Sequence, residues 1–133
     1  YDNSLEGLVS KKKDFIGKRS LNKIAYIVPD RQKLVGVVPL DKKTSIPEGS
    51  YIVKDANAKL PNPKLGHVSA SCWSVEYDNP FSLAILKDGK NMIGQKLFAM
   101  SPLKNKTIPV EIVSSHYVDT KGERVRSWLQ CQP

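Results

Sequence analysis

The chain has 133 residues, 40% of them hydrophobic and 26% charged, and its 21 Lys and Arg outweigh 13 Asp and Glu for a net charge of +8. That length suits one domain with a real core, and the composition excludes a disordered chain. No run approaches the roughly 18 apolar residues that a membrane-spanning helix needs, so no membrane partner is expected.

Tyr1 stands first rather than Met, and no apolar secretory run follows it, so the sequence reads as a piece of a longer polypeptide. The two cysteines, Cys72 and Cys131, lie too far apart and are too few for a disulfide framework, which points to a reducing, cytoplasmic setting. Lys11, Lys12 and Lys13 form the single run of three basic residues, and the other lysines are scattered through turns and strand ends. This distribution reads as a solvated basic surface suited to an anionic small ligand or an acidic partner, and not as a dedicated nucleic-acid face.

Along the chain, residues 1–13 have weak periodicity and read as an entry segment. Asp14 offers an N-cap for one short helix near residues 15–22, which Gly17 weakens, so the helix depends on packing Phe15, Ile16 and Leu21. Pro29-Asp30 ends a linker, and β structure is expected from about residue 31 to residue 115. Leu34, Val35, Val37 and Val38 make a strand interrupted by Gly36. Pro47-Glu48-Gly49 is a turn in which proline presets φ and glycine supplies a positive φ. Tyr51-Ile52-Val53 is a short strand, and 54–63 is a surface loop.

In the next strand Val68, Ala70 and Cys72 alternate against His67, Ser69, Ser71 and Trp73, which makes Cys72 a buried small hydrophobe. Phe81, Leu83 and Ile85 alternate with Ala84 and Leu86. An Asp88-Gly89 turn, a strand over 96–100 and a last strand carrying Ile108, Val110 and Ile112 complete the pattern. Five or six strands without a long intervening helix imply an all-β, closed or nearly closed barrel.

Catalytic signatures are missing from the sequence. It has no Gly-x-Gly turn for a dinucleotide, no Gly-x-Ser-x-Gly elbow, and Gln95 stands where a phosphate loop needs lysine. His67 and His116 lie far apart without a Cys-x-x-Cys pair, so neither a metal site nor a catalytic residue is assigned.

Eight short motifs in order nonetheless resemble the final part of folate-dependent aminomethyltransferase domains. They begin with Lys12-Lys13-Asp14-Phe15-Ile16-Gly17-Lys18-Arg19-Ser20-Leu21 and Leu34-Val35-Gly36, then Pro47-Glu48-Gly49 and Gly66-His67-Val68-Ser69-Ala70. Ser74-Val75, Pro80-Phe81-Ser82-Leu83-Ala84, Ile93-Gly94-Gln95-Lys96-Leu97 and Asp119-Thr120-Lys121-Gly122-Glu123-Arg124 continue the series. The departures from the family pattern are Ser69-Ala70 for Thr-Ser, Val75 for Pro, Ser82 for Ala and Thr120 for Pro. Within the family, the lysine triplet before Asp14 is most similar to the α subunits of heterotetrameric sarcosine oxidases.

The resemblance implies a six-stranded Greek-key barrel preceded by a short helix. Its expected boundaries are a lead-in at 1–30, a barrel domain at 31–127 and a C-terminal tail at 128–133. It also implies an enzyme that oxidatively demethylates sarcosine to glycine, with tetrahydrofolate capturing the one-carbon unit and FAD, FMN and NAD bound outside this chain. The implied partners are the rest of the α subunit and the other subunits. By the same resemblance the catalytic acid lies upstream of Tyr1, the isolated chain is inactive, and Arg124 or Arg126 is the counterpart of an arginine at the folate site. Tyr117 either walls the same opening or belongs to the barrel core. A fragment of the glycine-cleavage T-protein and a stand-alone nucleic-acid-binding barrel, with Trp73, Tyr77 and Phe81 as stacking surfaces, are the alternatives.

Overall fold

A computed structural model describes residues 5–28, 30–57, 63–119, 121, 123, 126 and 127. Six strands, β1 (Gln32–Pro39), β2 (Tyr51–Val53), β3 (Gly66–Ser74), β4 (Asn79–Lys87), β5 (Lys96–Ser101) and β6 (Lys106–Val113), close into a barrel in the order β1-β4-β3-β2-β5-β6. Every pairing is antiparallel, and β6 returns to β1 to seal the sheet. Because β2, β3 and β4 run on as neighbours while β1 lies beside β4, the connectivity is a Greek key. Closure gives every strand a neighbour on both sides, although β2 meets β3 only through Tyr51 and Ile52.

The core is a layer of small and β-branched side chains. Val35 opposes Ala84, Ile52 opposes Ala99, and Leu97 opposes Val110 across the ladders, and all six are buried. A narrow barrel has little interior volume, so alternating large and small residues fill it without strain. Gly66 is imposed by the same crowding: a Cβ there would lie 1.9 Å from the carbonyl oxygen of Ile85. The turn at Pro47-Glu48-Gly49 forms as expected, with Gly49 at φ +75°.

The strand β3 departs from the alternation read in the sequence. Val68 pairs with Ala84, but Ala70 pairs with Leu83, so Ser69 is an extra residue and the ladder slips there. A bulge reverses which face the following side chains present. Ser71 therefore turns inward, its hydroxyl 2.9 Å from that of buried Ser82, and Cys72 turns outward and is exposed. The expectation of a buried Cys72 on the Val68 face is thus corrected. The second cysteine, Cys131, lies outside the described residues, as do 58–62 of the expected loop and the whole 128–133 tail.

The lead-in also differs. Two four-residue helices form, α1 (Lys18–Leu21) and α2 (Ile24–Ile27), after a 3-10 turn at Glu6–Leu8. Gly17, at φ +96°, occupies the N-cap position of α1, and no side chain caps it, so Asp14 is not the cap. A left-handed residue ends whatever precedes it, and the helix can start only beyond it. Neither helix buries a residue, and Phe15 and Ile16 are both exposed instead of packed. Polar ties hold this segment on the barrel. Glu6 pairs with Lys90, Asp30 lies 2.9 Å from Lys87, and the Arg31 guanidinium donates to the Ala25 carbonyl at 3.1 Å while lying over the Tyr26 ring.

Candidate functional site

After β6 the chain runs as a strap, residues 114–119, across the outside of β1 and β4. What seats it there is the missing side chain of Gly36. A methyl group at that position would come within 2.8 Å of Phe81 Cε2 and 2.6 Å of the Ser114 carbonyl oxygen. Phe81 projects outward from β4, opposite Cys72, and its ring stacks on Tyr117 with centroids 5.0 Å apart and planes 17° from parallel. Tyr77, from the β3–β4 hairpin, meets the same Tyr117 ring at 5.2 Å with planes inclined by 58°. Offset stacks and tilted contacts of this kind add stabilisation beyond the area they bury, on the order of 0.5–1.5 kcal/mol a pair.

Tyr117 is therefore not a core residue of the barrel. It is half-buried on the outer wall, the central ring of a tier that rises from Gly36 through Phe81. Beyond it, Asp119 has φ +46° and its carboxylate accepts the Glu123 backbone N–H at 2.8 Å, ahead of the helical residues Glu123, Arg126 and Ser127. Arg126 lies there and is exposed. Arg124 falls outside the described residues.

Sequence reasoning singled out Tyr117 and missed Gly36, Phe81 and Tyr77 as its support. One signal was present: a glycine inside a run of β-branched residues marks a close approach of another group. A second was not, because nothing local says that residue 117 returns to residues 77 and 81. The tier also answers the nucleic-acid alternative in structural terms. Phe81 is covered by Tyr117, and Trp73 pairs with Pro80 on the opposite side of the sheet from Phe81, so the three rings do not form one open stacking platform. At the root of the hairpin, Asn79 is buried and its Oδ1 has no hydrogen-bond partner among the described residues.

Residues 32–119 match the family described as the glycine cleavage T-protein C-terminal barrel domain. The chain belongs to this family. The match runs from the first barrel strand through the strap, so the aromatic tier lies wholly within the family barrel. Curated relatives extend it on the amino-terminal side. Sarcosine oxidase subunit alpha of Rhizobium meliloti (strain 1021) is 36% identical over 115 residues, 86% of this chain and 12% of the relative. The protein of the same name from Corynebacterium sp. (strain P-1) is 33% identical over 125 residues, 92% of this chain and 13% of the relative. The chain thus spans only 12% to 13% of the length of these curated relatives. Among solved structures, the glycine cleavage system aminomethyltransferase T from Bartonella henselae shares the fold of the barrel, with a TM-score of 0.50 and 17% identity over 66% of this chain and 22% of that one.

Proposed function

We propose that this chain is the C-terminal barrel of a sarcosine oxidase α subunit and forms one wall of its tetrahydrofolate channel. The observation that carries the reading is the identity of 33% to 36% with two sarcosine oxidase α subunits over 86% to 92% of the chain. On this reading residues 1–30 are a lead-in, 31–127 the barrel domain and 128–133 a tail. The assembly is a soluble cytoplasmic enzyme, and the partners are the remainder of the α subunit and its companion subunits.

The residues present fit a folate. The tier presents the half-exposed Tyr117 ring as an aromatic surface, and the exposed Arg126 with its neighbour Arg124 supplies guanidinium groups. Such groups hold carboxylates of a glutamyl tail in a planar two-point fork. The Asn79 Oδ1, unpartnered among the described residues, adds an acceptor beside the same hairpin. Tetrahydrofolate, when bound, accepts the one-carbon unit released from sarcosine. This chain's own part is to bind and orient: Tyr117 limits where a ring can lie, and the arginines anchor the anionic end. Amine oxidation belongs to flavin held elsewhere in the assembly, so the isolated chain neither oxidises sarcosine nor holds flavin or NAD.

The test is made in the complete α subunit. Arg124→Ala should weaken folate binding by roughly ten- to a hundredfold, the loss of one charge-assisted contact, while sarcosine oxidation is largely retained. Arg126→Ala, measured at two salt concentrations, separates a direct contact from a long-range charge effect that screening would erase. Equal folate affinity in wild type and both variants would leave the barrel without a folate contact on its tail.

A further inference from the structure

The lead-in inverts the usual arrangement of a surface segment. It is tied to the barrel by a few polar contacts, Glu6 on Lys90 and, at its end, Asp30 on Lys87 and Arg31 on the Ala25 carbonyl. Its large apolar groups face away: Leu8, Ile24 and Ile27 are 82%, 85% and 62% exposed, and Ile16 is fully so. Between the 3-10 turn and α1 lies an open cleft of about 740 Å³, where Val9 and Leu21 sit beside Lys11 and Lys18. Two helices of four residues each lie far below the length at which a helix is stable unaided, so their conformation requires support beyond what these polar ties give.

We infer that the apolar outer face of residues 5–28 docks on the domain that precedes the barrel in the same polypeptide, on a surface that is apolar at its centre and acidic at its rim. This inference rests on the reading of the chain as part of a longer α subunit. Three observations choose the occupant. The curated relatives are about eight times longer than the matched stretch, and the family barrel is by description C-terminal, so polypeptide precedes it. The Corynebacterium match covers 92% of this chain, so most of the lead-in belongs to the shared region together with the barrel. Finally, Lys11, Lys12, Lys13, Lys18, Arg19 and Lys23 surround the apolar side chains, with Asp14 as the one acidic residue among positions 11–23. Charges at such a rim select a partner of opposite sign, and the desolvated apolar centre supplies the affinity.

Hydrogen exchange compared between the 133-residue chain and the longer polypeptide tests this. Backbone amides of residues 18–27 should exchange at least tenfold more slowly in the longer form. Ile16→Asp combined with Ile24→Asp should return them to the fast rate and accelerate tryptic cleavage after Lys18 and Lys23 by a similar factor. Leu103→Asp, a fully exposed position on the β5–β6 hairpin, is the control and should change neither. Equal exchange in the two forms would overturn the inference. So would concentration-dependent protection in the short chain, which would make a second copy the occupant, or a gene with no preceding domain. Sarcosine oxidation and folate binding in the same preparations keep the two proposals apart: slowed exchange without either activity would sink the functional reading and leave the docking face standing.

Discussion

The barrel and its lead-in solve opposite problems with the same chain. In the barrel, each strand is held by two neighbours, apolar side chains point into one closed layer, and charges lie outside. In residues 5–28, local hydrogen bonds and polar ties fix the path, and Leu8, Ile16, Ile24 and Ile27 are exposed to solvent. The difference teaches that hydrophobicity marks two kinds of surface here, one already covered and one awaiting cover. Burial is worth about 25 cal/mol per Å² only when a partner removes the area from water.

That contrast breaks most visibly in the core. Ile52→Ala should lower stability by about 2–5 kcal/mol in denaturant unfolding, because the closed layer cannot collapse around the void. Ile24→Ala in the same 133-residue chain should stay within about 0.5 kcal/mol of wild type. Similar losses at the two positions would show that the lead-in already buries its apolar face. Next in size is Gly66→Ala, where the new methyl must displace the Ile85 carbonyl: a loss of about 1–3 kcal/mol is expected, read as a lower thermal midpoint. Phe81→Leu keeps apolar area on the outer wall but removes the stack. It should cost about 0.5–1.5 kcal/mol and speed amide exchange in residues 114–119 while β2 and β5 remain protected.

The smallest effect concerns the ties between the two regions. The Lys90 ammonium, by hydrogen bond and charge, holds the Glu6 carboxyl below its usual pKa, and Lys87 does the same to Asp30. A lowered carboxyl pKa contributes stability that is present at neutral pH and lost as pH falls through the folded value. Acidification below the ordinary carboxylate range should therefore loosen residues 5–30 before the barrel yields, seen as exchange that quickens there first after correction for intrinsic rates. Both pairs are solvent-exposed, so the effect is slight and fades with salt.

The strands were legible because Leu34–Val38 is an apolar run rich in valine and because Phe81, Leu83 and Ile85, and Ile108, Val110 and Ile112, recur at every second position, a property of neighbours in sequence. What escaped was whatever depends on a single inserted residue or a distant return. Ser69 looks like any strand serine, yet its insertion moves Cys72 from the inside to the outside. Asp14 has the chemistry of a helix cap, but the left-handed Gly17 three residues later decides where α1 starts. Tyr117 was visible as an aromatic residue near the end of the chain. Its stacking on Phe81 is a matter of where the strap lands, and that depends on the absent side chain of Gly36 eighty-one positions earlier.

The bulge at Ser69 has a consequence for how this hairpin can change. Below it, Val68 and Ala84 are locked in phase with the barrel interior, and a substitution on either face is judged by the core. Above it, the sequence Ala70–Ser74 runs half a pleat out of step, so Cys72 and Phe81 share the outer wall with the strap while Ser71 and Ser82 bond behind them. The extra residue works as a phase joint between two stretches of one ribbon. Deleting Ser69 should regularise the ladder and keep both halves in register, with Ala70 following Val68 directly opposite Leu83, Ser71 still facing Ser82 and Cys72 still outward beside Phe81. The outer wall can thereby drift in sequence, and even in length by one residue, without asking the six-stranded interior to repack.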